Sequence, residues 1–385
     1  MSGTEKLSLP KRDLYKPIVS AIVVNYQTSE LLSECLESLL SQKVPLDLWV
    51  VDNSGSDQER HKIEALCKRM QLNTIFNKKN VGYGAACNAA IDQARGEYLL
   101  CMNPDVRLEY GALEALIKRI KATGAWIVGP RFYWDKGKNF LLPPSIPENW
   151  LTESISFWAA RLKVISSLWS RWWARREQIF WKAESPLSQT MISGACFLAD
   201  RKALMPDRTL FDPSFFLYYE DTELCRRIKQ QRGSIFYLPE AHAIHLYAQS
   251  PASSHFKESA MTQSQKLYRR GYTRWQRQFL RLQSKHGSSL FPTRSCGDNH
   301  CDLGELDEPP DLSWNEKGLC WLRVGVNPLF VPSSGTMVNG GHFKFPSGLW
   351  GQMAPGTYFL EVRHSTSWRR IGLWSWHKRP LESII

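Results

Sequence analysis

Long apolar runs are missing from this chain of 385 residues; none reaches the roughly 18 uncharged apolar positions that a membrane-spanning helix needs. The opening stretch, MSGTEKLSLPKRDLYK, has no apolar core and does not read as a signal peptide. Internal repeats and low-complexity tracts are also lacking. A disulfide framework is excluded by pattern: the nine cysteines are scattered, mostly inside expected helices and strands. That usage reads as reduced, buried thiols in a cytosolic protein. What is present in quantity is apolar surface, 43% of residues, enough for a large core and two domains.

Positive charge is in excess, at +12, and it is localised. Glu153 to Lys182 carries six Lys or Arg against two Glu, and Lys257 to Lys285 carries eight against one. Together these two segments supply +11 of the +12. Asp298 to Asp311 holds six acidic residues and no Lys or Arg. The basicity therefore belongs to two local surfaces that meet something anionic.

From Ile18 to about Gly129 strands and helices alternate. The strands are 18–26, 46–53, 72–77, 96–103 and 125–130; the helices are 29–42, 57–70, 83–94 and 110–122. That alternation predicts a mainly parallel, doubly wound α/β sheet. The apolar run LLCM (99–102) stops at Asn103-Pro104-Asp105. Asn, Pro and Asp are ordinary turn residues. Yet two other strands end in polar pairs, Asn25-Tyr26 and Asp52-Asn53, and in a parallel sheet all three project from one carboxyl edge, where ligands of such folds sit. Turn chemistry explains one such end better than three, so a site is expected there. Gly82 and Gly84, ahead of the helix at 83–94, let backbone approach a ligand closely.

After about Pro143 the alternation stops. A strand is expected within 190–204, a helix starting near Glu220, short strands at 234–239 and 241–247, and a long helix over 255–286. Beyond Pro292, short runs at 319–326, 341–345, 357–364 and 370–376 predict a small antiparallel β domain.

The stretches IVVNY, VVDNSGSD, NVGYGAACNAAI, YLLCMNPDV, ISGACFLADRKAL, FDPSFFLYYEDTELCRRI and PEAHAIH occur in the order found in family 2 glycosyltransferases. The chain resembles that family over about residues 18–250, and within it the rhamnosyltransferase-like branch that builds bacterial surface polysaccharides. The resemblance does not cover 296–385. It implies a GT-A fold and an inverting transfer from a nucleotide-diphosphate sugar, such as dTDP-rhamnose, to a glycan or lipid-linked acceptor. The organisation expected is an arm (1–17), a GT-A domain (18–250) with a basic aromatic helical insertion (151–183), an amphipathic basic helix (251–290) and a β-rich domain (296–385).

The resemblance also implies roles. Departure of a nucleotide diphosphate leaves charge that a divalent ion neutralises, and carboxylate oxygen suits Mg2+ or Mn2+. Asp105 matches the main carboxylate of the family's metal motif, whose first position is Asn103 here. His245 matches a histidine that completes the metal site in some relatives, a role that favours Mn2+. Asp52 matches the residue contacting the nucleotide base, and Asn25, Tyr26, Asn80 and Gly82 lie on motifs lining the nucleoside pocket. Asp221 matches the base that takes the acceptor proton. Glu220, Ser193, Gly194 and Ala195 fall in the acceptor or sugar pocket. The acidic residues 220, 221 and 223 also favour a helix amino terminus through its dipole, whatever else they do. A nucleotidylyltransferase would need a Gly-rich basic loop after the first strand, and VVNYQTSE has none. A non-catalytic glycan-binding module or scaffold on the same fold is the alternative, and the presence of both Asp105 and Asp221 argues against it.

In the basic aromatic segment, Trp158, Leu162, Ile165, Trp169 and Trp172 fall on one helical stripe. Arg176 interrupts it, predicting a break near 174–176. Over 266–285, Tyr268, Tyr272, Trp275, Phe279 and Leu282 form one face, and Lys266, Arg270, Arg274, Arg277, Arg281 and Lys285 the other. Basic residues with tryptophans are the composition of helices lying on anionic membranes. Packing on the core is the competing reading, chiefly for 266–285. Nucleic acid is not expected as a partner, since no such motif is present. Peripheral attachment to the inner face of the cell membrane is the expectation. Cys296, His300 and Cys301 lack zinc spacing and read as an acidic loop, and the tail's tryptophans read as core.

Overall fold

The computed structural model describes residues 17–204, 209–246, 253–287 and 300–380. Most of the expected N-terminal arm, and Cys296, lie outside them. The first half alternates as the apolar periods predict: β1 (Val19–Asn25), α1 (Ser29–Leu40), β2 (Leu46–Asp52), α2 (Asp57–Met70), β3 (Asn73–Phe76), α3 (Tyr83–Ile91), β4 (Tyr98–Met102), β5 (Val106–Leu108), α4 (Ala112–Thr123) and β6 (Ile127–Tyr133). All of β1 and β4 is buried, as for strands covered on both faces. In α1 the buried residues Leu32, Cys35, Leu36 and Leu39 keep the spacing of one helical face.

Next come α5 (Trp150–Ala159), α6 (Lys163–Trp181), β7 (Leu187–Gln189), β8 (Cys196–Asp200), α7 (Arg201–Leu204), α8 (Glu220–Gln230) and β9 (Ile235–His245). The sheet runs β3-β2-β1-β4-β8-β6-β9-β5, with β7 on β9. Strands β3, β2, β1 and β4 are parallel, β8 is antiparallel to both its neighbours, and β6 is parallel to β9. Strand order reverses beside β1, which makes the carboxyl edge there the natural crevice. The two short strands expected at 234–247 are one strand, β9, whose pairing with β6 shifts register between Pro130 and Arg131. Strand β5, which periodicity did not mark, pairs antiparallel with the end of β9.

The insertion differs from expectation. The helical break lies at 160–162, between α5 and α6, and α6 runs unbroken through 174–176. Arg176 is accommodated by its neighbours: its guanidinium lies 5.2 Å from the Trp172 ring and 5.9 Å from that of Trp173. The long helix over 255–286 is also divided, into α9 (Ser254–Tyr268), a 3-10 turn (Arg269–Gly271), α10 (Arg274–Leu282) and a π turn (Gln283–Gly287). Tyr272 is extended, and Thr273 and Gln276 form a capping box that starts α10 afresh. The expected apolar face is split as a result. Tyr268 and Tyr272 are buried, whereas Trp275, Phe279 and Leu282 are exposed.

The remainder is β10 (Cys301–Leu306), β11 (Asp311–Ser313), β12 (Leu319–Gly325), β13 (Ser334–Asn339), β14 (His342–Lys344), α11 (Ser347–Gln352), β15 (Gly356–His364) and β16 (Arg370–Lys378). Its sheet order is β10-β16-β15-β12-β13, antiparallel except for β10 on β16, with β11 and β14 forming a separate ribbon. The acidic loop expected from Cys296 is therefore, from Cys301, an edge strand that exposes Asp302 and Glu305. Trp321, Trp350 and Trp376 are buried as core. This sheet shares apolar packing with the first domain. Phe140 stacks on Phe345 at 5.5 Å and Trp181 on Trp321 at 5.2 Å. Leu141 and Gly335 exchange backbone hydrogen bonds of 2.8 and 2.9 Å.

A buried ionic cluster closes the junction. Glu177 of α6, fully buried, accepts hydrogen bonds from the Trp173 indole (2.6 Å), the Arg323 guanidinium (2.5 and 3.0 Å) and the Ser333 amide (2.9 Å). Arg323 of β12 also pairs with Glu361 of β15, itself bridged by Arg363 and Arg370. Every charge in the cluster has an opposite partner, which is what burial demands.

Candidate active site

The ends of β1, β2 and β4 meet at one edge, as their register requires: Asn25 is opposite Asp52, and Val23 opposite Met102. Beyond that edge lies a pocket of about 160 Å³ whose wall includes Tyr26, Asn80, Gly82, Asn103 and Asp105. Asn25 and Asp52 are buried behind it. The Asn25 amide donates to Asp52 (3.2 Å) and Glu59 (3.3 Å), and its carbonyl accepts from the Thr28 amide (3.2 Å). They brace the wall from within. The wall also holds Asn53, Phe216, Leu217 and Phe256, which sequence reasoning had not named as site residues. Asn53 was visible as the second half of a polar strand end; its amide donates to Asn80 (2.8 Å), and its carbonyl accepts from the Val81 amide (3.0 Å). Gly82 (φ +92°) needs both its freedoms. A Cβ there would sit 2.5 Å from the Phe216 carbonyl, which accepts from the Tyr83 amide.

At one end of the edge stand Asp105 and His245. The antiparallel pairing of β5 and β9 sets Val106 opposite His245, and the Leu246 amide donates to the Asp105 carbonyl at 3.1 Å. His245 Nε2 thereby lies 3.5 Å from Asp105 Oδ2, both side chains being nearly enclosed. Burial pushes the Asp105 carboxyl up, but His245 and Arg107 more than offset that and hold it below its ordinary value. Asp105 is thus an anion at neutral pH. No group of three or more His, Cys, Asp or Glu positioned for a metal occurs among the described residues. An oxygen and a nitrogen donor this close suit one shared cation, with the remaining positions left to phosphate oxygens and water, the habit of Mg2+ and Mn2+ sites.

At the other end stands Asp221, in the first turn of α8. The loop Ser193–Ala195, just before β8, lies between the two. The Asn103 amide donates to the Ala195 carbonyl (2.8 Å), and the Gly194 amide donates to Asp221 Oδ2 (2.9 Å). The Gly194 carbonyl accepts from the Tyr83 hydroxyl (3.3 Å), and Ser193 Oγ accepts from the Ala195 amide (3.2 Å). A Cβ on Gly194 would press on Asp221 at 3.1 Å. The turn leading into α8 is strained: Tyr218 and Tyr219 both take φ of +66°, uncommon for aromatic residues. Among the described residues, no cation pairs with Asp221. Burial raises its pKa, against amide hydrogen bonds from Gly194 and Thr222. Burial and the Asp221 charge push Glu220 up to about 8, and among the described residues Glu220 Oε2 has no hydrogen-bond partner. Asp105, His245, Asn103, Ser193–Ala195, Glu220 and Asp221 therefore form one connected constellation.

A model described as Glycosyl transferase family 2 matches residues 20–205. The chain is 26% identical over 180 residues to a cholesterol galactosyltransferase of Borreliella burgdorferi, covering 43% of this chain and 50% of that protein. It is 26% identical over 251 residues to an N-acetylglucosaminyl-diphospho-decaprenol L-rhamnosyltransferase of Mycobacterium tuberculosis, covering 60% and 77% respectively. The chain thus spans half the length of the first of these relatives and more of the second. Among solved structures, a mannosyltransferase from Pyrobaculum calidifontis in complex with GDP-Man and Mn2+ is similar at a TM-score of 0.42 and 16% identity, over 62% of this chain and 59% of that one. No helix among the described residues is long and apolar enough to cross a membrane. With its mainly parallel sheet and polar carboxyl edge, the α/β unit of this chain is a family 2 glycosyltransferase domain of the GT-A fold.

Proposed function

We propose that the chain is an inverting glycosyltransferase that moves a sugar from a nucleotide-diphosphate donor to an acceptor hydroxyl in glycan or polysaccharide synthesis. The observation that carries this reading is the spacing of Asp105–His245 and Asp221 on either side of the single loop Ser193–Ala195. Asp105 and His245 hold Mg2+ or Mn2+, which when bound neutralises the charge developing on the departing diphosphate. Tyr26, Asn53, Asn80 and Gly82 line the nucleoside side of the pocket, braced by Asn25 and Asp52. Asp221 accepts the proton of the attacking hydroxyl. One base opposite the leaving group suffices for inversion, so a carboxylate nucleophile is not required. A rhamnosyl donor such as dTDP-rhamnose and a lipid-linked acceptor belong to the same proposal, supported by the order of the sequence motifs.

Attachment to an anionic membrane face completes the proposal. The outward stripe of α6 is Val164, Leu168, Trp172 and Ile179, all exposed, with Arg171 and Arg175 among them. Exposed apolar residues interleaved with arginine suit a lipid headgroup boundary.

Titration calorimetry with a panel of nucleotide diphosphates, with and without Mn2+, tests the reading. Metal-dependent nucleotide binding is expected, with Asp105→Ala reducing it by about tenfold or more while the fold survives. Unchanged affinity in that variant sinks the metal assignment, and no transfer from any donor leaves a binding module.

A further inference from the structure

The segment from α9 to the π turn encloses a cleft of about 890 Å³ that is separate from the donor pocket. Six cationic side chains line it: Lys266, Arg269, Arg274, Arg277, Arg281 and Lys285. Two are fixed. Arg269 is paired at 2.5 Å with Glu153, which also accepts from the Tyr272 hydroxyl at 2.8 Å. Arg277 donates to the backbone carbonyls of Arg270 and Tyr272. Among the described residues, no carboxylate is paired with Lys266, Arg274, Arg281 or Lys285. Arg274, Arg277, Arg281 and Lys285 share one helical face by their spacing, and the turn at 269–272 sets Lys266 and Arg269 beside them; like charges gathered in this way repel one another. Their arrangement is accounted for by a ligand with several negative charges. Arginine's planar fork favours phosphate oxygens.

Two further features narrow the ligand. Trp275, Phe279 and Leu282, on the same short helix as Arg274, Arg277 and Arg281, are exposed by 55%, 42% and 48%. An apolar group would lie beside the anion. One lip of the cleft, Arg269, adjoins the residues packed on the start of α8. Arg269 follows Tyr268, whose ring packs 5.3 Å from that of Tyr219, the residue before Glu220 and Asp221. Arg226 of α8 stacks 4.2 Å from the Tyr268 ring and donates to its carbonyl at 3.2 Å. Two tyrosine rings therefore separate the basic cleft from the helix start that carries Asp221.

Resting on the transferase reading above, we propose that this cleft binds the diphosphate group joining the acceptor glycan to a membrane lipid. The sugar then extends past Tyr268 toward Asp221, and the lipid chain leaves along Trp275, Phe279 and Leu282. The cleft would act as a gauge, admitting acceptors whose sugar lies the right distance from the diphosphate.

The test measures binding of the full chain to phosphatidylcholine vesicles carrying either a long-chain prenyl diphosphate or phosphatidylglycerol at equal surface charge. EDTA is included to silence metal-dependent diphosphate binding at the donor site. Prenyl-diphosphate vesicles are expected to bind at least about tenfold more tightly, with soluble inorganic diphosphate competing. The triple variant Arg274→Gln, Arg281→Gln, Lys285→Gln is expected to erase that preference, leaving weak and equal binding to both vesicles. Arg171→Gln with Arg175→Gln, on α6, is expected to weaken both vesicle types alike and keep the preference. Equal affinity of the unaltered protein for the two vesicles overturns the site and leaves a generic anionic surface. A preference that survives the triple variant overturns it too. Calorimetry with nucleotide and Mn2+ separates the two readings. A retained lipid preference in a protein that binds no nucleotide supports the cleft while overturning the transferase assignment.

Discussion

Glu177 and Asp221 are both carboxylates on helices, the first fully buried and the second partly so, and the chain treats them in opposite ways. Around Glu177 it gathers a guanidinium, an indole, a hydroxyl and an amide, and it continues the charge balance through Arg323 to Glu361, Arg363 and Arg370. Around Asp221 it supplies backbone amides and the Thr222 hydroxyl but, among the described residues, no cation, and it sets a second acid, Glu220, beside it. The first carboxylate has its electrostatic needs met from within. The second is left short. The saturated acid joins two sheets, and the unsaturated one has the environment that the proposed base requires.

The contrast is broken most sharply by Asp221→Asn. The amide keeps shape but cannot take a proton, so turnover is expected to fall about 10²- to 10⁴-fold while nucleotide affinity in calorimetry stays put. Loss of nucleotide affinity instead would make Asp221 structural, a cap of α8. Glu177→Gln tests the other side. It leaves Arg323 short of a countercharge in a dry interior, with an expected loss of about 3–5 kcal/mol in denaturant unfolding. Nucleotide binding below the transition should be unchanged. Were this variant as stable as the parent, the junction would owe little to its ion cluster. The smallest effect sharpens the comparison within the site. Burial raises Asp221, so the base is protonated and turnover lost as pH falls through the pair's raised range. Glu220, pushed up to about 8 by burial and the Asp221 charge, is already neutral where that limb lies, so Glu220→Gln is expected to shift the acid limb of the pH–rate profile by less than about half a unit. A move to lower pH by about one unit or more would mean that Glu220 carries charge beside the base.

Legibility followed the reach of each interaction. Helices α1, α2 and α8 and the buried strands of the first half are local patterns, and their residues announce them within a dozen positions. The polar ends after β1, β2 and β4 were readable because a parallel sheet fixes which ends share an edge. The pairing of Asp105 with His245 came from family resemblance. The strand that brings it about, β5, is three residues long and leaves no periodic trace. The division between α9 and α10 was hidden for the opposite reason. The apolar period continues across Tyr272, while the break is a backbone event announced only by Thr273 and Gln276. The stripe expected over 158–172 is divided by the break between α5 and α6, and tryptophans signal burial and interface alike. Trp169 is buried and Trp172, three positions on, is exposed. The Glu177–Arg323 pair spans most of the chain's second half and has no local signature.

The narrow β5–β9 ladder has one more consequence. It is the clasp by which residues far apart in the chain present one oxygen and one nitrogen to the same point. A cation gripped by both closes the whole loop of chain from 106 to 244, which includes β6, the insertion and α8. Closing so long a loop is the costly step in assembling the sheet, and an ion that binds only the closed form returns its binding free energy as stability of the clasp. On the proposed metal reading, metal affinity and the integrity of β9 would be a single equilibrium read from two ends, and a change that frays β9, however distant from the pocket, would loosen the ion.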